Sequence, residues 1–441
     1  MTKPAPKKLR AIQLVFIVFF TVAGGPYGLE ELIGYAGQHA SLLLLVVTPF
    51  LWDMPAILTV AELNSMMPVE GGYYQWVKQG LGTRFGFYEG WWTWLYTFID
   101  LAIYPVMFVQ YGSFFFPWMQ QHQLMVCLVF VWLSAVINVL GIAQVGRTSM
   151  ILSVAVLGPV LILLITALIN HSLSPTLPAP SLKHLTYPSL AMALYTVMWN
   201  CLGWDNVTTY AGEVERPVKA YLFAVFTAFG MTLLIYIITI VVAQQSGIST
   251  KVLTEQRFPA LGVLIGGRWL GIFIAAGGMA CAMGIYTAVL LSVSRIPKVM
   301  ADDGLLPKAL TKLHPKFNTP YLSIIVCSLV VSVMVLWSFD ELLIIDVTVY
   351  GAGLFLEYLT LIVLRIKSPD VIRPFKIPLS TRALCGCLII PASVYVVALT
   401  GAFVSKEQAI IPAVFALLAL CTAEVAWQVI MLVKGRGEVR V

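Results

Sequence analysis

Polar positions in this chain are sparse, and they separate long apolar runs instead of alternating with apolar residues. Runs of about 20 apolar residues are long enough to cross a bilayer as helices. Such runs lie near 12–37, 41–64, 86–116, 122–141, 148–170, 188–212, 220–245, 269–297, 320–338, 341–365, 382–403 and 408–433. The pattern predicts an all-α integral membrane protein with twelve transmembrane helices. Two runs are interrupted. The first contains Ala23-Gly24-Gly25-Pro26-Tyr27-Gly28-Leu29-Glu30-Glu31. Proline removes a backbone donor and glycine adds an entropy cost, so a helix does not continue comfortably through that stretch. The sixth contains Trp199-Asn200-Cys201-Leu202-Gly203-Trp204-Asp205-Asn206, which crowds polar residues where apolar ones belong. Backbone groups cannot stay bare in lipid, so both breaks must lie inside protein or line a wet cavity.

The breaks are five spans apart. That spacing predicts two five-helix inverted repeats, 12–170 and 188–365, whose broken helices 1 and 6 meet near the bilayer centre. Two extra helices over 382–433 follow, and the whole of 1–441 reads as a single membrane transporter domain.

Composition agrees. Of the 441 residues, 59% are hydrophobic and 11% charged, against about 25% charged in soluble domains. Polar stretches reach only roughly 15–20 residues, a long loop and not a soluble domain. The net charge of +6 is spread over loops and does not indicate nucleic acid. With the N-terminus inside, 22 of the 27 lysines and arginines fall on cytoplasmic segments or their flanks. The bias predicts a multi-pass plasma (inner) membrane protein with both termini cytoplasmic. The basic start MTKPAPKKLR leads into an apolar run without a clear small-x-small cleavage site, and reads as a retained first helix. The seven cysteines form no pair of CxxC motifs and read as apolar packing residues. The five histidines fall in loops or at span ends. No metal, no cofactor and no enzymatic motif such as HExxH is expected.

Three loops carry local patterns. Residues 68–76 are amphipathic and predict a short cytoplasmic interfacial or re-entrant helix. The outer loop 246–268 has helical spacing and could cap a site. Residues 301–307 read as a turn with a helix start.

Intramembrane acids are functional candidates by default, because charge is costly there. Asp205, beside the second break, heads the set; its structural alternative is to cap a following half-helix. Asp100 is flanked one turn away by Tyr96 and Tyr104 on the same helix face. It either holds an amine or packs as a hydrogen-bonded acid. Glu30 and Glu31 begin the second half of the first span, where a helix N-terminus favours negative charge; about 100° separates them, so one faces the cavity. Glu62 reads first as a structural pairing acid and also as a proton-coupling candidate. Glu357 and Glu424 read as paired or hydrogen-bonded, and Asp53 as serving a kink before Pro55. Trp199 opens the second break and is placed to lie over a cationic substrate. Pro26 offers no N–H to a substrate carboxylate. The substrate-binding set is Gly24, Gly25, Pro26, Tyr27, Gly28, Glu30, Asp100, Tyr104, Trp199, Asn200, Gly203, Asp205 and Thr287, with Asp205, Asp100 and Glu62 as proton-coupling candidates.

The ordered set Gly24-Gly25-Pro26-Tyr27-Gly28, Ala61-Glu62-Leu63, Gly71-Gly72-Tyr73, Trp204-Asp205 and Ala211-Gly212-Glu213-Val214-Glu215-Arg216-Pro217 resembles the amino acid–polyamine–organocation superfamily. The resemblance covers nearly the whole chain and is strongest to the polyamine:proton symporter branch. It implies a LeuT-type fold and secondary transport, with Trp199 as a gating aromatic and Asp205 as an acid for proton sensing or amine binding. It also implies substrate contacts around Asp100. The chain departs from the pattern in carrying Pro26 where amino acid transporters have Gly-Ser-Gly. It has Tyr286-Thr287-Ala288 where plant polyamine relatives carry an acid, and no lysine between Thr148 and Asn170.

These readings together predict a secondary active transporter, proton-coupled, for a cationic amine, polyamine or basic amino acid. Its partners are that small molecule, the proton and the lipid bilayer. The alternatives are a neutral amino acid permease or exchanger of the same fold and a non-transporting membrane sensor. Ser292 and Ser294 are the places where sodium could replace the proton.

Overall fold

The computed structural model describes residues 8–170, 173, 179–183, 185–336, 339–404 and 410–438. Most of the basic start, together with His171, His184, Lys406 and Arg440, lies outside the described residues. Among the described residues the regular structure is helical, with isolated β-bridges at Leu9–Val214 and Glu70–Tyr210. Among the described residues, eight helices are long and apolar enough to cross a membrane: Glu30–Met66, Thr83–Gly112, Ile142–Ile169, Pro217–Gln245, Arg268–Asp302, Leu342–Lys367, Thr381–Val404 and Ile410–Lys434. Three shorter apolar helices join them, Ala11–Val22, Gln123–Val139 and Tyr321–Met334. Where these helices meet the outside they present apolar side chains, such as Ile151, Val154, Leu161 and Ile165 along one helix. That surface suits lipid and not water.

The first interruption separates Ala11–Val22 from a helix beginning at Glu30. A second dislocation at Gly37, with φ 67°, marks the end of that short second half. The second interruption is wider. Tyr187–Trp199 stops at the tryptophan, and the chain then makes only two 3-10 turns, Asn206–Thr209 and Ala211–Glu213, before the helix Pro217–Gln245. Asp205 stands before the first of these turns and caps it with no side-chain hydrogen bond. An α-helical second half is therefore absent. Part of the reason is local: the Thr208 and Thr209 hydroxyls donate back to the carbonyls of Asp205 and Asn206 at 2.6 and 2.9 Å. The Gly71 amide donates to the Thr209 carbonyl at 2.8 Å, pinning the turn from outside.

The 68–76 pattern becomes the helix Gly72–Leu81, with Tyr73, Tyr74, Trp76 and Val77 buried. It is packed into the protein and not spread on an interface. The turn at 301–307 is tied to it, since Asp303 accepts from the Tyr74 hydroxyl at 2.6 Å and pairs with Lys78 at 2.7 Å. The 211–217 motif anchors the chain start. Leu9 exchanges backbone bonds with Glu213 and Glu215, and Glu213 in turn holds the buried Arg295 at 2.7 Å. The 246–268 loop forms Thr250–Gly266, dislocated at Arg257, and closes over the first break.

Candidate functional site

The two breaks touch. Gly203 lies at φ +94°, and a Cβ there would sit 3.2 Å from the Thr21 carbonyl in the last turn before the first break. Gly28 lies at φ +100°, and a Cβ there would meet the Trp199 ring at 2.8 Å. Both glycines are required by backbone conformation and by close approach. They let the Trp199 ring lie against the first break.

Trp199 connects that break to the helix Thr83–Gly112. Its indole N–H donates to Asp100 at 3.2 Å, and its ring stacks with Tyr104 at 6.2 Å and 20°. The Tyr104 hydroxyl donates to the same Asp100 oxygen at 2.5 Å. A second acid, Asp346 on the helix Phe339–Lys367, lies close enough to Asp100 to interact electrostatically. Asp346 is fully buried, and neither of its oxygens has a hydrogen-bond partner.

Deeper along the same two helices lies a second group. The Asp205 carboxylate accepts from the Tyr350 hydroxyl at 3.1 Å, and that hydroxyl also receives the Gly203 amide at 3.4 Å. The carboxyls of Glu357 and Glu89 gather around Asp205. Glu357 has no hydrogen-bond donor on either oxygen, and Glu89 lacks one on Oε2. Of the two expectations for Glu357, the hydrogen bond is met, by the neighbouring Asp205, and the ion pair is not: its neighbours are acids and tyrosines. Among the described residues, no lysine or arginine reaches ion-pair distance of Asp100, Asp346, Asp205, Glu89 or Glu357.

Other acids are satisfied, except that the buried Asp53 Oδ2 has no hydrogen-bond partner. Glu30 accepts from the Gly28 amide at 2.7 Å, the Tyr111 hydroxyl at 2.6 Å and the Phe258 amide at 3.1 Å. Glu31 pairs with Arg257 at 2.9 Å. Both therefore fasten the 246–268 segment to the first break. Glu62 is held by Arg365, by Arg373 at 3.4 Å and by the Ile377 amide at 2.8 Å. Glu424 pairs with Arg84 at 2.7 Å. Asp53 accepts from the Trp204 indole at 3.4 Å.

The remaining predicted positions sort by contact. Gly24 packs on Ile285 and Cys281, and Gly25 beside Val156. Pro26 accepts the Leu29 amide through its carbonyl. Tyr27 packs edge-on to Tyr111 at 5.1 Å, with its hydroxyl buried and without a partner. Asn200 folds its amide onto the Thr196 carbonyl at 2.8 Å, and its own carbonyl receives Tyr236 at 2.6 Å. The hydroxyls of Thr287, Ser292 and Ser294 donate to carbonyls of their own helix. Two adjoining clefts of about 400 Å³ open over Ser249–Leu264 and the neighbouring Phe114, and neither is lined by Trp199 or Asp100.

Sequence reasoning missed Asp346 and Glu89. A signal was present: Glu89 and Asp100 are eleven residues apart, as are Asp346 and Glu357. Eleven residues is three helical turns, which keeps each pair on one face.

Residues 9–421 match the family model described as amino acid permease. The chain is 32% identical to the polyamine transporter RMV1 of Arabidopsis thaliana, over 84% of this chain and 76% of the relative. It is 30% identical to the polyamine transporter PUT1 of Oryza sativa subsp. japonica, over 90% and 75% respectively. The human cystine/glutamate transporter is 26% identical over 88% of this chain and 80% of its own. With its buried breaks and apolar outer faces, the chain belongs to the amino acid permease family of the amino acid–polyamine–organocation superfamily, and is a multi-pass membrane transporter and not an enzyme.

Proposed function

We propose that this transporter moves a cationic amine, a polyamine or a basic amino acid, by proton-coupled secondary transport. The observation that carries the reading is the pair of buried, electrostatically interacting acids Asp100 and Asp346. Two buried carboxyls without a basic neighbour are costly, and an arriving ammonium relieves that cost by supplying charge and donors together. Trp199 and Tyr104 offer π faces beside them, worth roughly 0.5–2 kcal/mol toward a cation. The first break is poorly suited to a carboxylate. Pro26 has no N–H, and the Gly28 amide is already taken by Glu30.

In this reading the chain is a LeuT-type bundle of twelve helices, with repeats 12–170 and 188–365 and extra helices 382–433. The repeats rock about the two breaks, which gives alternating access at mid-membrane. Asp205 exchanges a proton as the second break moves. The basic loops favour a plasma membrane setting with cytoplasmic termini.

The test is radiolabelled putrescine uptake into proteoliposomes under an imposed pH gradient, with arginine, leucine and unlabelled polyamine as competitors. Gradient-driven uptake blocked by polyamines supports the proposal. Counterflow of leucine without putrescine uptake would replace it with neutral amino acid exchange.

A further inference from the structure

Two helices in this protein carry the same chemistry in opposite order. Along Thr83–Gly112 the residues are Glu89, Tyr96 and Asp100, in steps of seven and four. Along Phe339–Lys367 they are Asp346, Tyr350 and Glu357, in steps of four and seven. The two tyrosines meet edge-on, with ring centroids 5.2 Å apart, which sets the helices in register. That register brings the two aspartates to the same end, close enough to interact electrostatically. At the other end a Cβ on Gly353 would meet the Glu89 carboxyl at 2.9 Å, and Glu357 lies beside Glu89 and Asp205. Seven and four residues are two turns and about one turn, so each ladder stays on one helix face. The ends are three turns, or about 16 Å, apart.

The inner end is a buried cluster of acids. Glu89, Asp205 and Glu357 are each at most 3% exposed. Both Glu357 oxygens and one Glu89 oxygen accept no hydrogen bond. The Tyr73 hydroxyl, brought in by the Gly72–Leu81 helix, faces all three acids and makes no hydrogen bond of normal geometry. A buried set of this kind calls for a ligand that is mostly donor. An alkylammonium has three N–H donors and one positive charge, and the contacting rings of Tyr96 and Tyr350 stand between this group and the Asp100–Asp346 pair.

We propose that Glu89, Asp205 and Glu357 form a second ammonium station, which receives the far amine of an elongated polyamine whose near amine sits at Asp100–Asp346. Tyr96 and Tyr350 divide the stations and part when both are occupied. This rests on the amine reading above. It adds a length rule: extended spermine spans a distance comparable to the gap between stations, whereas putrescine falls well short of it.

The experiment is a binding competition on the purified full-length transporter with butylamine, putrescine, spermidine and spermine. The unaltered protein is compared with Glu357→Gln and Glu89→Gln. In the unaltered protein, spermine is expected to bind roughly ten- to a hundredfold more tightly than putrescine, the scale of one charge-assisted hydrogen-bond set. Each substitution should collapse that ratio toward one. Equal weakening of all four amines in either variant, with the ratio retained, would overturn the station and leave the acids a structural role. A ratio near one in the unaltered protein, with putrescine still bound, would overturn the station alone. No amine binding at all would overturn the amine reading and the station with it. Retention of the ratio in both variants, with sodium in place of amine abolishing spermine binding, would assign the cluster to a metal cation and overturn the proposal.

Discussion

Glu62 and the Glu89–Asp205–Glu357 group are both fully buried acids, and they could hardly be treated more differently. Glu62 meets two guanidinium groups and a backbone amide. The arginines reach on to carbonyls of the 364–379 segment, so every charge is answered. The three-acid group meets tyrosines, a threonine and other acids. Burial is the same; the cation balance is not. An answered acid fastens structure, and an unanswered one is held for something that comes and goes.

The largest effect should come from breaking the answered site. Glu62→Gln leaves Arg365 and Arg373 buried with the charge removed between them, a change that costs about 3–5 kcal/mol in buried pairs. The thermal unfolding midpoint of the detergent-purified protein should fall steeply. Glu357→Gln, at the same burial, should leave it unchanged or raise it, because a carboxyl among carboxyls is relieved. If the two variants lose stability equally, the contrast between the sites is wrong.

A smaller effect tests the outer pair. Asp100→Asn keeps an acceptor for Tyr104 and Trp199 but removes the charge. Losing one charged hydrogen bond to an ammonium is worth about 1.5–3 kcal/mol. Putrescine affinity, measured by binding to the purified protein, should drop accordingly while the unfolding midpoint holds. Unchanged affinity would place Asp100 with Glu62 as a fastening group. Trp199→Leu sharpens this further. It removes a π face worth roughly 0.5–2 kcal/mol and should weaken cations while sparing a neutral competitor.

Much of this was legible in the residues. Hydropathy located most of the helices to within a few positions, though the run 188–212 is α-helical only to Trp199 and Glu30–Met66 joins the first two runs, and Gly24, Gly25, Pro26 and Gly28 marked the first break because glycine and proline act through the backbone alone. Asp100, Asp205 and Trp199 were visible as polar or aromatic residues in apolar company. Which acids are answered was not visible. Arg365 and Arg373 look like loop-flanking cations in the sequence, and only the packing turns them onto Glu62. Glu89 lay just inside the predicted start of its span and was not singled out, yet it is buried beside the Gly72–Leu81 helix. Asp346 stood just inside a predicted span boundary at 341 and drew no notice. The missing second half of the sixth helix likewise depended on Gly71 bonding to Thr209 from a distant segment.

The finest test lies between the two ends of the ladder. Tyr350 holds the second break with one hydroxyl, donating to Asp205 at 3.1 Å and receiving Gly203 at 3.4 Å. These are single bonds of about 0.5–1.5 kcal/mol net, far weaker than the bidentate clamp on Glu62. A contact meant to part should be weak. Tyr350→Phe keeps the ring against Tyr96 and removes only those bonds. Stability should fall by at most the value of one such bond, and equilibrium putrescine affinity should stay within about threefold, since the hydroxyl touches neither Asp100 nor Asp346. Exchange across the proteoliposome membrane should nonetheless quicken, because the break is less firmly latched in the state seen here. If exchange slows while affinity is kept, the hydroxyl guides the movement instead of restraining it, and the division between fastening and yielding contacts would have to be drawn elsewhere.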